Sequence, residues 1–172
     1  MRVRRATPGD LSSLVALFQE LDLVQRDWRV FTPRPGFFDE VGRKYRAAMS
    51  DPDVLVAVAE DRGEVVGMAT AEVRTPSRFS DERALELSAV IVRTDRRREG
   101  IGRALVREAL RFAREHDLPW IELKTFAPNA AASDFWESLG FTARVVQLTA
   151  SARSLEARLR DDARRSTARS QV

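Results

Sequence analysis

The chain of 172 residues contains no cysteine and a single histidine, His116. The first absence removes disulfides, thiolate nucleophiles and cysteine-ligated metals together. The second rules out a histidine-based zinc site within one chain, so no metal is expected. A Ser-His-Asp triad would have to use His116, which ends an expected helix beside Asp117 and Pro119, where an imidazole suits the negative helix terminus. Long hydrophobic runs are missing too, and nothing approaches the roughly eighteen apolar residues of a membrane span. The start Met1-Arg2-Val3-Arg4-Arg5 leads into a capped helix rather than a signal-peptide core. A cytoplasmic protein without a membrane partner is expected. Lysine is scarce, with only Lys44 and Lys124, and no G-x-x-x-x-G-K-[ST] loop exists, which excludes a Walker-type site.

Strong charge of one sign is also lacking. The net charge is +3, from 29 basic and 26 acidic residues. Residues 151–172 hold Arg153, Arg158, Arg160, Arg164, Arg165 and Arg169 against Glu156, Asp161 and Asp162. The tail therefore carries the whole excess and the body is neutral. A nucleic-acid binder needs a basic stripe on its folded surface, so no nucleic-acid partner is expected. Length and a hydrophobic content of 44% suit one soluble domain over 1–149, followed by an arginine-rich tail over 150–172 that is partly helical or disordered.

What the chain does have is Arg97-Arg98-Glu99-Gly100-Ile101-Gly102-Arg103, set between the apolar run Leu87-Ser88-Ala89-Val90-Ile91-Val92 and an amphipathic helix. A strand feeding a Gly-x-Gly turn feeding a helix offers unpaired N–H groups and the positive end of a helix dipole. The glycines allow close approach, and Arg97, Arg98 and Arg103 add bidentate donors, so the ligand should carry phosphates. A dinucleotide fingerprint needs a small residue where Leu105 stands, although Glu122 falls about where a ribose-binding acid would.

The R-x-x-G-x-G spelling over Arg97 to Gly102 resembles the acetyl-CoA motif of the GNAT superfamily of N-acetyltransferases. Downstream, Asn129, Ala132, Phe135, Gly140 and Phe141 match the family's N-x-x-A-x-x-F-Y-x-x-x-G-F signature, with Trp136 in place of the tyrosine. Thr94 and Arg96 stand where the family often has proline and an aromatic. The resemblance covers roughly residues 1 to 149. It implies acetyl-CoA as co-substrate, with Arg97 to Arg103 at the pyrophosphate and the backbone of Val90, Ile91 and Val92 at the pantetheine and thioester. Asn129 would bond the cofactor or cap its helix.

Direct transfer to an amine needs a base, because a free amine is mostly protonated at neutral pH. Glu86, read as in phase with Val90 and Val92, leads; Glu72 on the adjoining strand and Glu122 beyond the splay are alternatives. Trp136 occupies the position of the usual acid, but its indole N–H cannot deliver a proton. Ser133, one turn earlier, could hold a water instead. The expected activity is acetylation of a primary amine, on a small molecule or a peptide, in a ternary complex. The acceptor would lie over Glu86 and Glu72 beneath Trp28, Phe31, Phe37 and Phe38, unless those aromatics are core. A sensor or scaffold of the same fold is the alternative, and a homodimer remains open.

Hydrophobic periodicity gives the frame. A strand over Met1–Ala6 precedes a helix capped by Asp10, and a second helix is expected over Phe37–Met49. Strands over Val54–Glu60 and Glu64–Thr75 form a hairpin around Asp61-Arg62-Gly63, and a loop over Pro76–Glu82 leads to a strand over Ala84–Val92. Helix Ile101–His116, strand Trp120–Thr125, helix Asn129–Leu139 and strand Phe141–Thr149 follow, with a thin apolar stripe over Ser151–Ala163. The result is an α/β fold with a mixed, mostly antiparallel sheet and helices on both faces. The resemblance adds a splayed parallel pair.

Overall fold

The computed structural model describes residues 1–28, 32–74 and 81–169, with side chains as far as 160. Phe31 and most of the loop after Thr75 lie outside the described residues. The chain divides into two compact units, Met1–Asn129 and Ala130–Val172.

The first unit is built on a five-stranded sheet in the order β1 (Arg2–Arg5), β2 (Val54–Asp61), β3 (Glu64–Arg74), β4 (Ala84–Val92), β5 (Trp120–Leu123). All neighbours are antiparallel except β4 and β5. The β2–β3 hairpin closes on Arg62 and Gly63, whose positive φ angles of 52° and 85° follow the right-handed strand twist. On one face lie α1 (Leu11–Gln25) and α2 (Phe37–Ala48), and Leu14 and Leu17 pack on Val56, Val58, Met68 and Ile91. On the other lies α3 (Ile101–Glu115), whose Ile101 and Leu105 press on Ala59, Val66 and Ala69. Small residues on that face let the helix sit close.

Asp10 differs from the expected cap. It ends a 3-10 turn, and its buried carboxylate binds Thr7 and the Arg4 guanidinium rather than the first turn of α1. His116 does end α3, with Nδ1 2.9 Å from the carbonyl of Phe112 and Nε2 3.1 Å from that of Pro52.

The second unit contains α4 (Ala130–Glu137) and α5 (Ala152–Arg169). The strand expected over Phe141–Thr149 is not formed. The segment has no regular secondary structure, with Val145, Val146 and Leu148 exposed by 89%, 74% and 88%. Its apolar residues favour a strand, but strand conformation is held by pairing and packing against neighbours, and among the described residues no strand pairs with it.

Candidate active site

Strands β4 and β5 share four pairs, from Ala84–Trp120 to Leu87–Leu123, and then part. Beyond that point β4 continues to Val92, paired only with β3. The register with β3 shifts where Ala89 faces Thr70 and Leu87 faces Ala71, leaving Ser88 as an extra residue in β4.

That bulge reverses the alternation of side chains. Ala89 and Ile91 pack on the α1 side, whereas Val90 and Val92 pack on the α3 side. Glu86 lies directly across from Glu72, which shares the α1 side with Met68. The expected phase match of Glu86 with Val90 and Val92 is thus corrected: they lie on opposite faces. Main-chain direction follows the other expectation. Arg93 N–H donates to the Val66 carbonyl at 3.0 Å, so by alternation the groups of Val90 and Val92 turn away from β3 into the gap. Arg97 Nε donates to the Val92 carbonyl at 3.3 Å, in agreement.

The loop leaving β4 is pinned from several sides. Glu20 of α1 accepts the Thr94 N–H at 2.6 Å. Arg96 holds Asp61 at 2.9 Å and Glu99 at 2.9 Å, and the Asp61 carboxylate also receives the N-terminal ammonium at 3.2 Å. These hydrogen bonds, Arg96 foremost, keep the Asp61 carboxyl below its usual range. Arg93 is tied to Glu64 and Asp95. Two arginines of this basic stretch are therefore structural, and Arg97, Arg98 and Arg103 remain on the exposed side.

Gly100, at φ +82° and ψ −1°, turns the chain into α3, and Arg98 also has positive φ at 69°. A β-carbon on Gly100 would meet nothing within 4 Å. The start of α3 is an open cradle with a positive dipole end, which suits a pyrophosphate.

The three candidate bases form one row, because the register places Glu72 opposite Glu86 and Glu86 opposite Glu122. Glu86 Oε1 accepts from Lys124 Nζ at 2.9 Å. Glu122 is paired with Arg74 at 3.1 Å, reaching across the small Ala84, and among the described residues Arg74 Nε is buried without a partner. Sequence reading missed Lys124, which it named only as one of two lysines. Its position two residues after Glu122 was the available signal, since strand alternation puts both on one face.

A groove of about 710 Å³ lies at the junction of α1 and α2, lined by Asp22, Thr32, Pro33, Phe37 and Phe38 among others. Phe37 packs on Phe18 with ring centres 6.0 Å apart and on Phe38 at 5.4 Å, so these aromatics join core to groove. Trp28 is half-buried. Asp22, only 3% exposed and bonded to Arg26 at 3.2 Å, is a groove carboxylate that the sequence pattern did not flag.

Asn129 closes the first unit, with its N–H on the Phe126 carbonyl at 2.8 Å. Ser133 and Trp136 belong to the second. Trp136 sits edge-on between Phe135 and Phe141, with ring centres 4.8 and 5.3 Å away. Among the described residues no group of three or more His, Cys, Asp or Glu side chains is arranged to hold a metal ion, and no helix is long and apolar enough to cross a membrane.

A sequence model of the acetyltransferase (GNAT) family matches residues 20–141. The chain is 40% identical over 134 residues to N-acetyltransferase family 8 member 3 of Rattus norvegicus, covering 76% of this chain and 57% of that one. It is 38% identical over 106 residues to the mycothiol acetyltransferase of Amycolatopsis mediterranei, covering 60% and 35%. It thus matches little more than half, or less, of these curated relatives. The BH1408 protein of Bacillus halodurans shares the fold at a TM-score of 0.80 and 21% identity, over 87% of this chain and 98% of that one.

Proposed function

The chain belongs to the acetyltransferase (GNAT) family, and from that premise we propose that it transfers an acetyl group from acetyl-CoA to a primary amine by direct attack in a ternary complex. One observation carries the reading: the main-chain groups of Val90 and Val92 face the gap between β4 and β5, at whose C-terminal side Gly100 opens α3. Backbone donors along β4 suit a pantetheine arm, and the first turn of α3 with Arg97, Arg98 and Arg103 suits its phosphates.

Acetyl-CoA supplies the activated carbonyl. A backbone N–H of β4, already aimed into the gap, stabilises charge as it develops on that carbonyl's oxygen without reorganising at the moment of reaction. Glu86, beside the parting of the strands, takes the proton of the acceptor's ammonium. The acceptor would approach on the α1 side, which carries the glutamate row and the groove formed with Phe37 and Phe38. Its amine must displace Lys124 from Glu86.

A second reading, an acyl-CoA sensor or scaffold, draws support from Trp136, which sits within an aromatic cluster and has no proton to give. Titration calorimetry with acetyl-CoA and detection of free CoA against a panel of amines separate the two. The transferase reading expects binding and amine-dependent thiol release. Binding without release from any amine would overturn it in favour of the sensor. In either case Gly102→Val, which sets a branched side chain in the first turn of α3, is expected to abolish binding while the fold persists.

A further inference from the structure

We propose that Lys124 is a self-acetylation site of this protein, an amine acceptor built into the chain beside the base. The inference rests on the acetyl-CoA reading of the gap. Lys124 directly follows Leu123, the last residue of β5 paired with β4, so it stands where the two strands part. Its Nζ is 2.9 Å from Oε1 of Glu86. The Lys124 side chain is 89% exposed and so reachable, while Glu86 is 27% exposed and held in the sheet. An ammonium on the general base, at the point where a thioester enters, has the arrangement that an acceptor amine must reach.

The step balances without an oxidant or reductant. The Lys124 ammonium gives one proton to the Glu86 carboxylate. The freed lone pair forms a C–N bond to the carbonyl carbon of acetyl-CoA, and the C–S bond breaks with its electron pair going to sulfur. The nitrogen sheds its second proton to water, and the proton on Glu86 passes to the thiolate. The products are Nε-acetyllysine, free CoA thiol and a regenerated carboxylate. The modification removes the lysine's charge and with it the ion pair. Glu86 is then open to an external amine, so a slow self-acetylation primes the site.

Lys44 gives an internal control. It is the only other lysine, its side chain is 74% exposed, and it pairs with Glu40 at 3.6 Å on α2, away from the strand gap. Chemical acetylation by acetyl-CoA alone should therefore reach both lysines.

The full chain, shown by mass to be unmodified, is incubated with acetyl-CoA and no amine, and peptide mass mapping follows each lysine over time. The expected result is acetylation of Lys124 about a hundredfold faster than Lys44, with Glu86→Gln bringing Lys124 down to the Lys44 rate, as loss of a general base implies. Equal rates at the two lysines in the wild-type protein overturn the proposal, as does a Lys124 rate untouched in a Glu86→Gln protein that binds acetyl-CoA normally. Should Glu86→Gln fail to fold, the wild-type ratio of the two rates decides alone. Calorimetry on the same sample separates the two readings. Acetyl-CoA that binds and serves external amines while Lys124 stays bare defeats self-acetylation only. Absence of acetyl-CoA binding defeats the transferase reading and this proposal with it.

Discussion

Gly67 of β3 lies so close to Ile91 of β4 that a β-carbon on the glycine would sit 2.9 Å from the Ile91 carbonyl oxygen. The same β-carbon would meet Ile101 at 3.2 Å and Leu105 at 3.3 Å, the two residues that seat the first turns of α3. Gly67→Ala must push against backbone on one side and the start of α3 on the other. The expected cost is about 1–3 kcal/mol of stability, as for overpacked cores. Acetyl-CoA affinity is expected to fall as well, because the displaced turn carries the cradle. Denaturant melts and calorimetry on one preparation check both effects. A loss of stability with unchanged affinity would mean that the cradle is held by the Arg96 and Glu20 contacts alone.

Replacing the proposed base, Glu86, tests the chemistry rather than the scaffold. Glu86→Gln keeps the size of the side chain and still accepts a hydrogen bond from Lys124. Acetyl-CoA affinity is expected to persist while turnover falls by about 10²-fold to 10⁴-fold. The loss should be greatest at low pH, where an unassisted amine is scarcest. Turnover measured across pH checks this, and a profile that matches the wild type would pass the role to Glu72 or Glu122.

Acid stability should depend on the Arg4–Asp10–Glu60 cluster. Arg4 holds Asp10 at 2.7 Å and Glu60 at 2.7 Å, and Thr7 donates N–H and hydroxyl to the same Asp10 carboxylate. The Arg4 hydrogen bond, opposed by burial and helped by Thr7, holds the Asp10 carboxyl far below its ordinary value of 3.8. A carboxylate so depressed stabilises the fold fully above its unfolded pKa, and the contribution is lost as pH falls toward the folded value. Stability should therefore be flat above about pH 5 and drop below about pH 4. Asp10→Asn is expected to lower stability at neutral pH and to flatten that drop. Thermal melts from about pH 2.5 to about pH 7 check it.

The parts that were legible in the sequence are those set by local pattern. The Arg62-Gly63 turn could be read because two β-rich runs flank a glycine, and α3 because Ile101, Leu105, Ala109 and Phe112 recur on one helical face. The Ser88 bulge could not be read. It adds one residue inside an apolar run and leaves no mark on residue type, yet it decides which face Glu86 takes. The Lys124–Glu86 pair was equally hidden, since it depends on the parallel register of strands far apart in the chain. Phe141–Thr149 erred the other way: its residues favour a strand, but a strand needs a partner edge.

Trp136 separates a slow enzyme from a retired one. Its ring lies edge-on to Phe135 and Phe141, contacts that a tyrosine ring can largely keep. If the position is a lost general acid on an otherwise working site, Trp136→Tyr restores a phenol with a pKa of about 10, able to protonate a leaving thiolate. Turnover should then rise, by less than the roughly 10²-fold to 10⁴-fold typical of general acids, because a thiol with a pKa of about 8.5 leaves readily without much help. If the indole instead forms a wall for the acceptor, the smaller ring opens a gap, and KM rises with no gain in kcat. The expected outcome is the first, with acetyl-CoA affinity unchanged by calorimetry. A Trp136→Tyr protein that binds acetyl-CoA normally and turns over no amine would count against the enzyme, and the acyl-CoA sensor would then be the reading to pursue.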